Sequence, residues 1–403
     1  MATPIRLLTF STLFPNSERP SNGVFVENRL RHLLADGRVE SRVMAPVPWF
    51  PFRGKRFGDY GAFARVPRAE TRHGIPVLHP RYPLIPRVGM TSAPAFMYVA
   101  MIGPVRDVLK SGYDFDLIDA HYFYPDGVAA ALLGRRFAKP VVITARGTDL
   151  NLIPQYALPR RMIQWAAAQA DGLITVCQAL KDTLVALGAP DAKVSPLRNG
   201  VDLETFRPVD RAAARARLGV DGTVALSVGY LIERKGHHVI IEALADLPGV
   251  TLLIAGRGPE EQTLRALAER IGVTDRVRFL GQVAHEQLPE IYGAADLLIL
   301  ASSREGWANV LLEAMACGTP VAATNVWGTP EVVAVPEAGR LIQERTSAGV
   351  SEAVRALLAT LPDRAATRAY AEGFSWEPTT EGQIALFEKV LSRRSSVDPG
   401  RLA

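Results

Sequence analysis

Short apolar runs rich in branched residues alternate with amphipathic stretches along the whole 403-residue chain. In the first half the strand-like runs cover residues 5–10, 41–46, 75–80, 115–120, 140–145, 172–176 and 193–197. Helical periodicity fills the intervals, clearest over 27–36 and 159–170. A second series of strand candidates follows at 223–229, 250–256, 276–281, 296–302 and 319–324, again separated by helical segments such as 260–272. Alternation of this kind predicts parallel sheets, because two parallel strands need a crossover long enough to hold a helix. Two full series predict an α/β protein of two doubly wound, Rossmann-like domains facing each other across a cleft. Ligands of open α/β sheets bind at the carboxyl ends of the strands. The turn-rich RNGVDLETFRP, residues 198–208, sets the boundary, giving an N-terminal domain over 1–205 and a C-terminal domain over 206–375. A helix over 376–392 is expected to pack back toward the N-terminal domain, with a flexible tail over 393–403.

The length supports two domains rather than one core. A hydrophobic content of 48% with 22% charged residues is ordinary for a globular protein. Cys177 and Cys317 make neither a metal spacing nor a disulfide framework, so they read as small buried residues in a reducing cytoplasm. The opening MATPIRLLTF lacks the long apolar segment of a signal peptide. No run approaches the roughly 18 apolar residues of a membrane span.

Charge changes the picture further. Residues 1–200 hold 25 Lys and Arg against 15 Asp and Glu (+10), which leaves 21 basic and 26 acidic residues (−5) in the remainder. Much of the excess lies in Arg53, Lys55, Arg56, Arg65, Arg68, Arg72, Arg81 and Arg87, opposed by Asp59 and Glu70 and interleaved with Trp49, Phe50, Phe52, Phe57, Tyr60 and Phe63. Such a mixture suits an anionic membrane surface or a phosphate-bearing lipid; it equally describes a solvated loop with a few packed rings. Nucleic acid is a poorer partner, since no binding module accompanies the charge.

The densest chemistry lies in EGWANVLLEAMACGTPVAA, residues 305–323. Glu305 and Glu313 stand with seven residues between them, the second interrupting an apolar run. A lone buried carboxylate is costly, so each needs a partner or a job. The pattern predicts a buried strand, a loop carrying Glu305, then a short helix from Asn309 that Gly318 stops. Free backbone N–H groups at such a helix start favour an anion, here the diphosphate of a nucleotide. Glu305 is then placed to reach a group outside the helix, and Glu313 to accept hydrogen bonds from paired ribose hydroxyls. A sugar nucleotide answers both. In SVGYLIERKGHH, Arg234 and Lys235 sit between a strand ending at Gly229 and a helix beginning after Gly236, where they either neutralise a diphosphate or form a solvated turn. Gly256, Gly258 and Pro259 make a tight turn after another strand, but no full G-x-G-x-x-G follows, which argues against a dinucleotide enzyme. His237, His238 and His285 read as capping or packing residues.

Taken in order, RNGVDLETFRP, ERKGHH, AGRGPE, GQVAHEQLPEIYGAADLLILAS, EGWANVLLEAMACGTPVAA and GTPEVV resemble the retaining glycosyltransferases of family 4, which have the GT-B fold. The resemblance is firm over about residues 198–335 and looser before that. It implies that Arg234 and Lys235 contact the donor diphosphate, near the strand-end Gly229 and the turn at Gly256. Glu305 would contact the donor sugar near the reacting centre. Ala308, Asn309, Val310 and Leu311 would offer backbone N–H groups, Glu313 would bind the ribose, and Val283, after Gln282, would lie against the base. Gly23 would let the diphosphate approach the first domain, while His121 and the 144–149 segment with Asp149 line the acceptor side. Asp149 is either catalytic or the residue that holds Gly147 and Thr148 in their turn.

Two positions depart from the family pattern. Tyr230 stands where many members have arginine, and Arg146 where many have histidine. Arginine has no acceptor for a sugar hydroxyl, so Arg146 points toward an anionic sugar or a phosphate.

The expected function is transfer of a sugar from a nucleotide donor to a hydroxyl of a lipid-linked or polysaccharide acceptor, with retention of anomeric configuration. The resemblance implies a front-face substitution in which the departing diphosphate helps deprotonate the acceptor, and closure of the domains excludes water. No cofactor beyond the donor is expected and no metal, because the one DFD, at 114–116, leads into a predicted strand. A cytoplasmic protein, peripheral at the inner membrane face, fits this reading. A sugar-nucleotide epimerase, a phosphorylase and an inactive nucleotide-sugar-binding subunit are the alternatives.

Overall fold

A computed structural model of the chain describes residues 3–84 and 89–397. Arg87 and residues 398–403 lie outside the described residues. The chain divides into two compact units, Met1–Arg198 with Glu377–Ala403, and Asn199–Trp376. The first division falls before the RNGVDLETFRP turn ends, so Asn199–Thr205, expected with the N-terminal domain, belong to the second unit.

Among the described residues the first unit has ten strands: β1 (Ile5–Phe10), β2 (Val39–Met44), β3 (Val47–Pro48), β4 (Ala69–Arg72), β5 (Ile75–Leu78), β6 (Arg81–Tyr82), β7 (Leu117–His121), β8 (Val141–Ala145), β9 (Gly172–Thr175) and β10 (Val194–Pro196). Eight of them form one sheet in the order β10-β9-β8-β7-β1-β2-β5-β4, while β3 and β6 pair separately. Every pairing in the large sheet is parallel except β4 with β5. β7, β8 and β9 are buried along their whole length, the mark of a sheet covered on both faces by crossover helices. From β1 the chain first builds outward through β2 and β5, then returns to add β7 through β10 on the other side. The order reverses between β1 and β7. That is where a doubly wound sheet opens a crevice at its carboxyl edge.

The core of this unit includes Leu7, Val43, Leu117, Val142 and Ile174 from the sheet and Val26, Leu30 and Leu33 from the helix Val24–Ala35. Ile384, Phe387 and Val390 of the helix Glu377–Val397 join the same cluster. Buried Arg29 reinforces that junction, donating from Nε to Gln383 Oε1 at 2.7 Å and from NH1 to the Leu197 carbonyl at 2.9 Å. The helix continues through Val397, so residues 393–397, expected in a flexible tail, are helical.

The second unit has six parallel strands, β11 (Thr223–Val228), β12 (Val250–Ala255), β13 (Val277–Gly281), β14 (Leu297–Leu300), β15 (Val321–Thr324) and β16 (Gly339–Ile342). Their order is β13-β12-β11-β14-β15-β16, so the reversal falls between β11 and β14. Leu252, Ile254, Leu297 and Ile299 pack there against Val239, Ile240 and Ile241 on one side and Val350, Val354 and Leu357 elsewhere in the same core.

The basic aromatic segment folds into a turn, Lys55–Phe57, and a helix, Gly58–Arg65. Phe52 stacks on Phe57 with centroids 5.2 Å apart, and Phe50 meets both rings and Tyr60 edge-on or tilted. Trp49 and Phe52 remain 56% exposed beside exposed Arg53, Lys55 and Arg56. Cys177 and Cys317 are buried free thiols. Among the described residues no helix is long and apolar enough to cross a membrane.

Candidate active site

In the second unit, three loops leave the carboxyl edge of the sheet around its reversal. The first follows β11 and runs from Gly229 through a turn at Glu233–Lys235 to the helix His237–Ala243. The second follows β12 at Gly256; the third follows β14 and carries Ser302 to Ala308. Backbone contact ties them together. A side chain at Gly256 would place its Cβ 1.8 Å from the Gly229 carbonyl oxygen, and Leu231 N–H donates to the Arg257 carbonyl at 2.9 Å. Gly236, at φ +74°, abuts the Ala301 carbonyl at 1.9 Å from the would-be Cβ. Only glycine permits that conformation and that approach together. The close seating of the first loop on the third brings Lys235 to Glu305.

Lys235 Nζ donates to Glu305 Oε1 at 2.6 Å, and Ser302 Oγ donates to the same oxygen at 2.7 Å. Arg234 NH1 lies 3.7 Å from Glu305 Oε2 while donating to the Arg304 carbonyl at 2.9 Å. Glu305 is only 7% exposed. Burial by itself would raise its carboxyl; the Lys235 and Arg234 charges, with the hydrogen bonds from Lys235 and Ser302, outweigh it and hold the group below its usual range. A buried anion thus keeps two cations aligned at the rim of the sheet.

The helix Asn309–Ala316 begins immediately beyond this cluster, and among the described residues no side chain caps its start at Ala308. Leu311 N–H already donates to the Ala308 carbonyl at 3.0 Å, which corrects the expectation that it is offered to a ligand. Asn309, Val310 and Ala308 provide the uncapped helix start. Asn309 also accepts at Oδ1 from Asn199 Nδ2, 3.2 Å away. Glu313, one turn on, is half-buried and accepts a hydrogen bond from Tyr292 OH at 2.8 Å. Burial pushes its carboxyl above the usual value, against the lowering influence of His285 and Tyr292. Gln282 is exposed and Val283 half-buried just after β13.

Two histidines of the second unit have packing partners. His237 is buried, its Nδ1 3.0 Å from Ser227 Oγ; burial and the nearby Lys235 push it down to about 4, so it is neutral near pH 7. His285 packs edge-on against Phe206, centroids 5.0 Å apart. Tyr230 is 54% exposed and brings no charge to the loop.

The first unit gathers a second polar cluster at its own reversal. Gly23, at φ +70°, starts the helix Val24–Ala35 after β1, and His121 ends β7. His121 is buried between two partners. Arg146 NH2 donates to its Nδ1 at 2.6 Å, and its Nε2 lies 3.0 Å from Asp119 Oδ2. Since a guanidinium only donates, Nδ1 is the unprotonated nitrogen. Burial, opposed by Asp119 and assisted by Arg146, lowers the imidazole below its ordinary value. Arg146 also lies over the Phe25 ring, 5.6 Å from its centroid, and burial pulls its guanidinium down to about 10.

Asp149 resolves its two readings. Its carboxylate accepts from the backbone N–H groups of Phe123 at 2.7 Å, Gly147 at 2.7 Å and Arg146 at 3.0 Å. With both oxygens engaged, it holds the turn, and a catalytic role for it is corrected on that ground. Nearby Asp126 accepts from Thr12 N and Oγ1 at 2.9 and 2.8 Å, and burial pushes it up to about 8. The DFD carboxylates serve the opposite edge of the sheet: Asp116 accepts from Arg6 N–H and Asp114 pairs with Lys139.

Ser302, Tyr292, Asp119 and Asp126 were not singled out in the sequence. Ser302 had a local signal, a serine where an apolar strand meets the loop. Tyr292 had none, because IYGAADLL reads as plain helix and strand packing.

Two family models match consecutive stretches of the chain: Glycosyltransferase Family 4 over residues 62–205 and Glycosyl transferases group 1 over residues 210–374. The D-inositol 3-phosphate glycosyltransferase of Mycobacterium tuberculosis H37Rv is 34% identical over 310 residues, which is 70% of this chain and 63% of the relative. The chain therefore spans less than two thirds of the length of such curated relatives. Sucrose-phosphate synthase from Thermosynechococcus elongatus shares the fold with a TM-score of 0.79 at 22% identity, over 97% of this chain and 100% of that one. Anabaena Alr3699/HepE in complex with UDP-glucose gives 0.70 at 22% identity, over 97% and 99%. Two doubly wound units, each with its polar residues at the strand-order reversal, define the GT-B class of glycosyltransferase. The chain belongs to its group 1, family 4 branch.

Proposed function

We propose that this protein transfers a sugar from a nucleotide-sugar donor to a hydroxyl of a lipid-linked or polysaccharide acceptor, with retention of anomeric configuration. The observation that supports it most is the convergence of Lys235 and Arg234 on Glu305 beside the uncapped helix at Asn309. Two aligned cations and a helix N-terminus suit the charge that develops on a departing nucleoside diphosphate. In the proposed step the bond from the anomeric carbon to the diphosphate oxygen breaks while the acceptor oxygen bonds to that carbon on the same face. The acceptor proton passes to the leaving diphosphate. Lys235 and Arg234 carry the charge that a divalent metal carries elsewhere, so the reaction proceeds without one. Glu313, with its carboxylate oriented by Tyr292, binds the ribose.

The UDP-glucose of the HepE complex makes UDP-sugars the first donors to test. Acceptor binding falls to the first unit, with Arg146 and His121 at its sheet reversal. The exposed Trp49 and Phe52 among Arg53, Lys55 and Arg56 fit an anionic lipid surface, which would hold the enzyme at the inner membrane face near a lipid-linked acceptor. Replacing Arg53, Lys55 and Arg56 together by glutamine is expected to abolish sedimentation with anionic liposomes; undiminished sedimentation rejects this surface.

The test of the transfer reading is a thermal-shift screen of UDP-, GDP-, ADP- and dTDP-sugars with and without EDTA. One nucleotide class should raise the melting temperature by mass action, insensitive to EDTA. A shift that EDTA abolishes overturns the metal-free step. A nucleotide shift accompanied by release of a free epimer, with no acceptor consumed, replaces transfer by epimerisation.

A further inference from the structure

The first unit carries a groove that none of these roles uses. It is a cavity of about 380 Å³ beginning one residue beyond Asp149, formed by the helix Thr148–Asn151, the turn Ile153–Gln155 and the helices Ala157–Gln169 and Gln178–Ala186. Its polar lining is Asn151, Gln155, Arg160 and Gln164, set among Leu150 and Pro154. These side chains have hydrogen-bonding capacity left over. Asn151 Oδ1 is buried and accepts no hydrogen bond among the described residues. Arg160 anchors its Nε on the Pro154 carbonyl at 2.5 Å, a bond that orients the guanidinium and leaves its NH1 and NH2 unpaired among the described residues. Gln164 uses its Nε2 on the Leu187 carbonyl at 2.9 Å, so its Oε1 is available as an acceptor. Gln155 is exposed.

The chemistry of this set narrows the ligand. Carboxamides donate and accept at once, which matches hydroxyls that must do the same. A guanidinium with two parallel N–H groups suits vicinal hydroxyls or a sugar carboxylate. A nucleoside diphosphate asks for more cationic charge than one arginine, and a peptide side chain for a more apolar pocket.

We propose that this groove is a saccharide subsite that holds a non-reacting sugar of the acceptor. It rests on the reading that the acceptor is a glycan, and it adds where that glycan is gripped beyond the reacting hydroxyl. The lining begins with Leu150 and Asn151, in the same short helix that carries Asp149.

Saturation-transfer NMR on the full chain tests it, with the methyl glycosides of glucose, galactose, mannose and glucuronic acid as probes at millimolar concentration. At least one probe should receive saturation at its ring protons. The signal should fall at least fivefold in Arg160→Ala and in Gln164→Ala, each checked for an unchanged melting temperature, and in Gln155→Ala should either of those melt early. Excess UDP should leave it intact. No transfer to any probe overturns the subsite, as does a signal that survives the substitutions or that UDP displaces. In those cases the nucleotide shift of the wild-type protein still stands or falls separately, so loss of the subsite is distinguishable from loss of the transferase reading.

Discussion

Lys235 and Glu305 are 70 residues apart in sequence and meet at 2.6 Å, inside a rim where Glu305 is almost fully buried. The contact depends on the loop after β11 lying directly on the backbone of Ala301. Removing the cation leaves a buried carboxylate with Arg234 at 3.7 Å and the Ser302 hydroxyl at 2.7 Å to offset it. Lys235→Ala is therefore expected to lower kcat by about 10²–10³-fold, the scale of losing a transition-state electrostatic partner. It should also lower stability by about 3 kcal/mol, the scale of breaking a buried pair from one side. Glu305→Gln, which keeps an acceptor for Ser302 and Lys235, should be milder on stability but still inactive. Sugar-transfer rates together with urea melts check both; a Lys235→Ala protein of wild-type rate removes that residue from the donor site.

Glu313 and Tyr292 form the other carboxylate contact, at 2.8 Å. Glu313→Ala is expected to weaken UDP affinity by about 10–150-fold, equivalent to the ~1.5–3 kcal/mol of hydrogen bonds to a charged group. Tyr292→Phe should weaken it less, about fivefold, since the carboxylate stays and only its orientation is released. Calorimetric titration with UDP reads both, and an unaltered affinity in Glu313→Ala rejects the ribose assignment.

The residues that make these contacts were unequally legible. Glu313 breaks an apolar run and Glu305 stands just before the same helix, so local physics marks them, whereas Arg234 and Lys235 read locally as either diphosphate partners or a solvated turn and only the family resemblance separates the two. Their partners were less marked. Ser302 shows only as a serine where an apolar strand meets its loop, and Tyr292 is selected by a tertiary approach that no local spacing records. Asp149 could be narrowed only to two roles, because a sequence shows the carboxylate but not where the N–H groups of Phe123 and Gly147 point. The parallel strands were readable because burial on both faces makes them continuous apolar runs. β4 (AETR) and β16 (GRLI) were missed because each lies at a sheet edge and mixes exposed or half-buried positions into a run of only four residues. The helix Gly58–Arg65 was hidden in a segment whose aromatics pack on one another rather than on a core at helical spacing.

Asp149 holds three backbone N–H groups in a buried turn. Asp149→Ala orphans them, and each unsatisfied buried donor costs about 1–3 kcal/mol, so a loss of at least about 3 kcal/mol is expected. Asp149→Asn retains one oxygen and should recover part of it. Chemical denaturation measures the series. Wild-type stability with abolished transfer in Asp149→Ala is the outcome that restores a catalytic role.

Gly256 and Gly249 both have positive φ but differ in their surroundings. A Cβ at Gly256 would lie 1.8 Å from the Gly229 oxygen, whereas nothing stands within 4 Å of one at Gly249. Gly249→Ala bears only the left-handed strain of about 1–2 kcal/mol and should keep nucleotide affinity. Gly256→Ala must separate the loops after β11 and β12, so UDP binding should be lost even where the fold survives. Equal effects of the two substitutions would disprove the backbone-contact account of this rim.

Asp126 gives the first unit a pH dependence opposite in sign to that of ordinary carboxylates. Burial pushes it up to about 8, against about 3.9 for an unfolded chain. Between these values the unfolded state releases the proton and the folded state keeps it. The unfolded state then binds fewer protons, so this group's contribution to stability is fully present below about pH 4 and declines as pH rises toward 8. Glu305, held below its usual range, acts in the other direction and loses its contribution as pH falls through its lowered value. Asp126→Asn keeps an acceptor for Thr12 N–H and the Thr12 hydroxyl and does not titrate. Its stability relative to wild type should therefore rise steadily from pH 4 to pH 8 and level off above that. Denaturant melts at intervals of one pH unit measure the difference, and a constant gap across that window means that Asp126 is ionised in the folded protein.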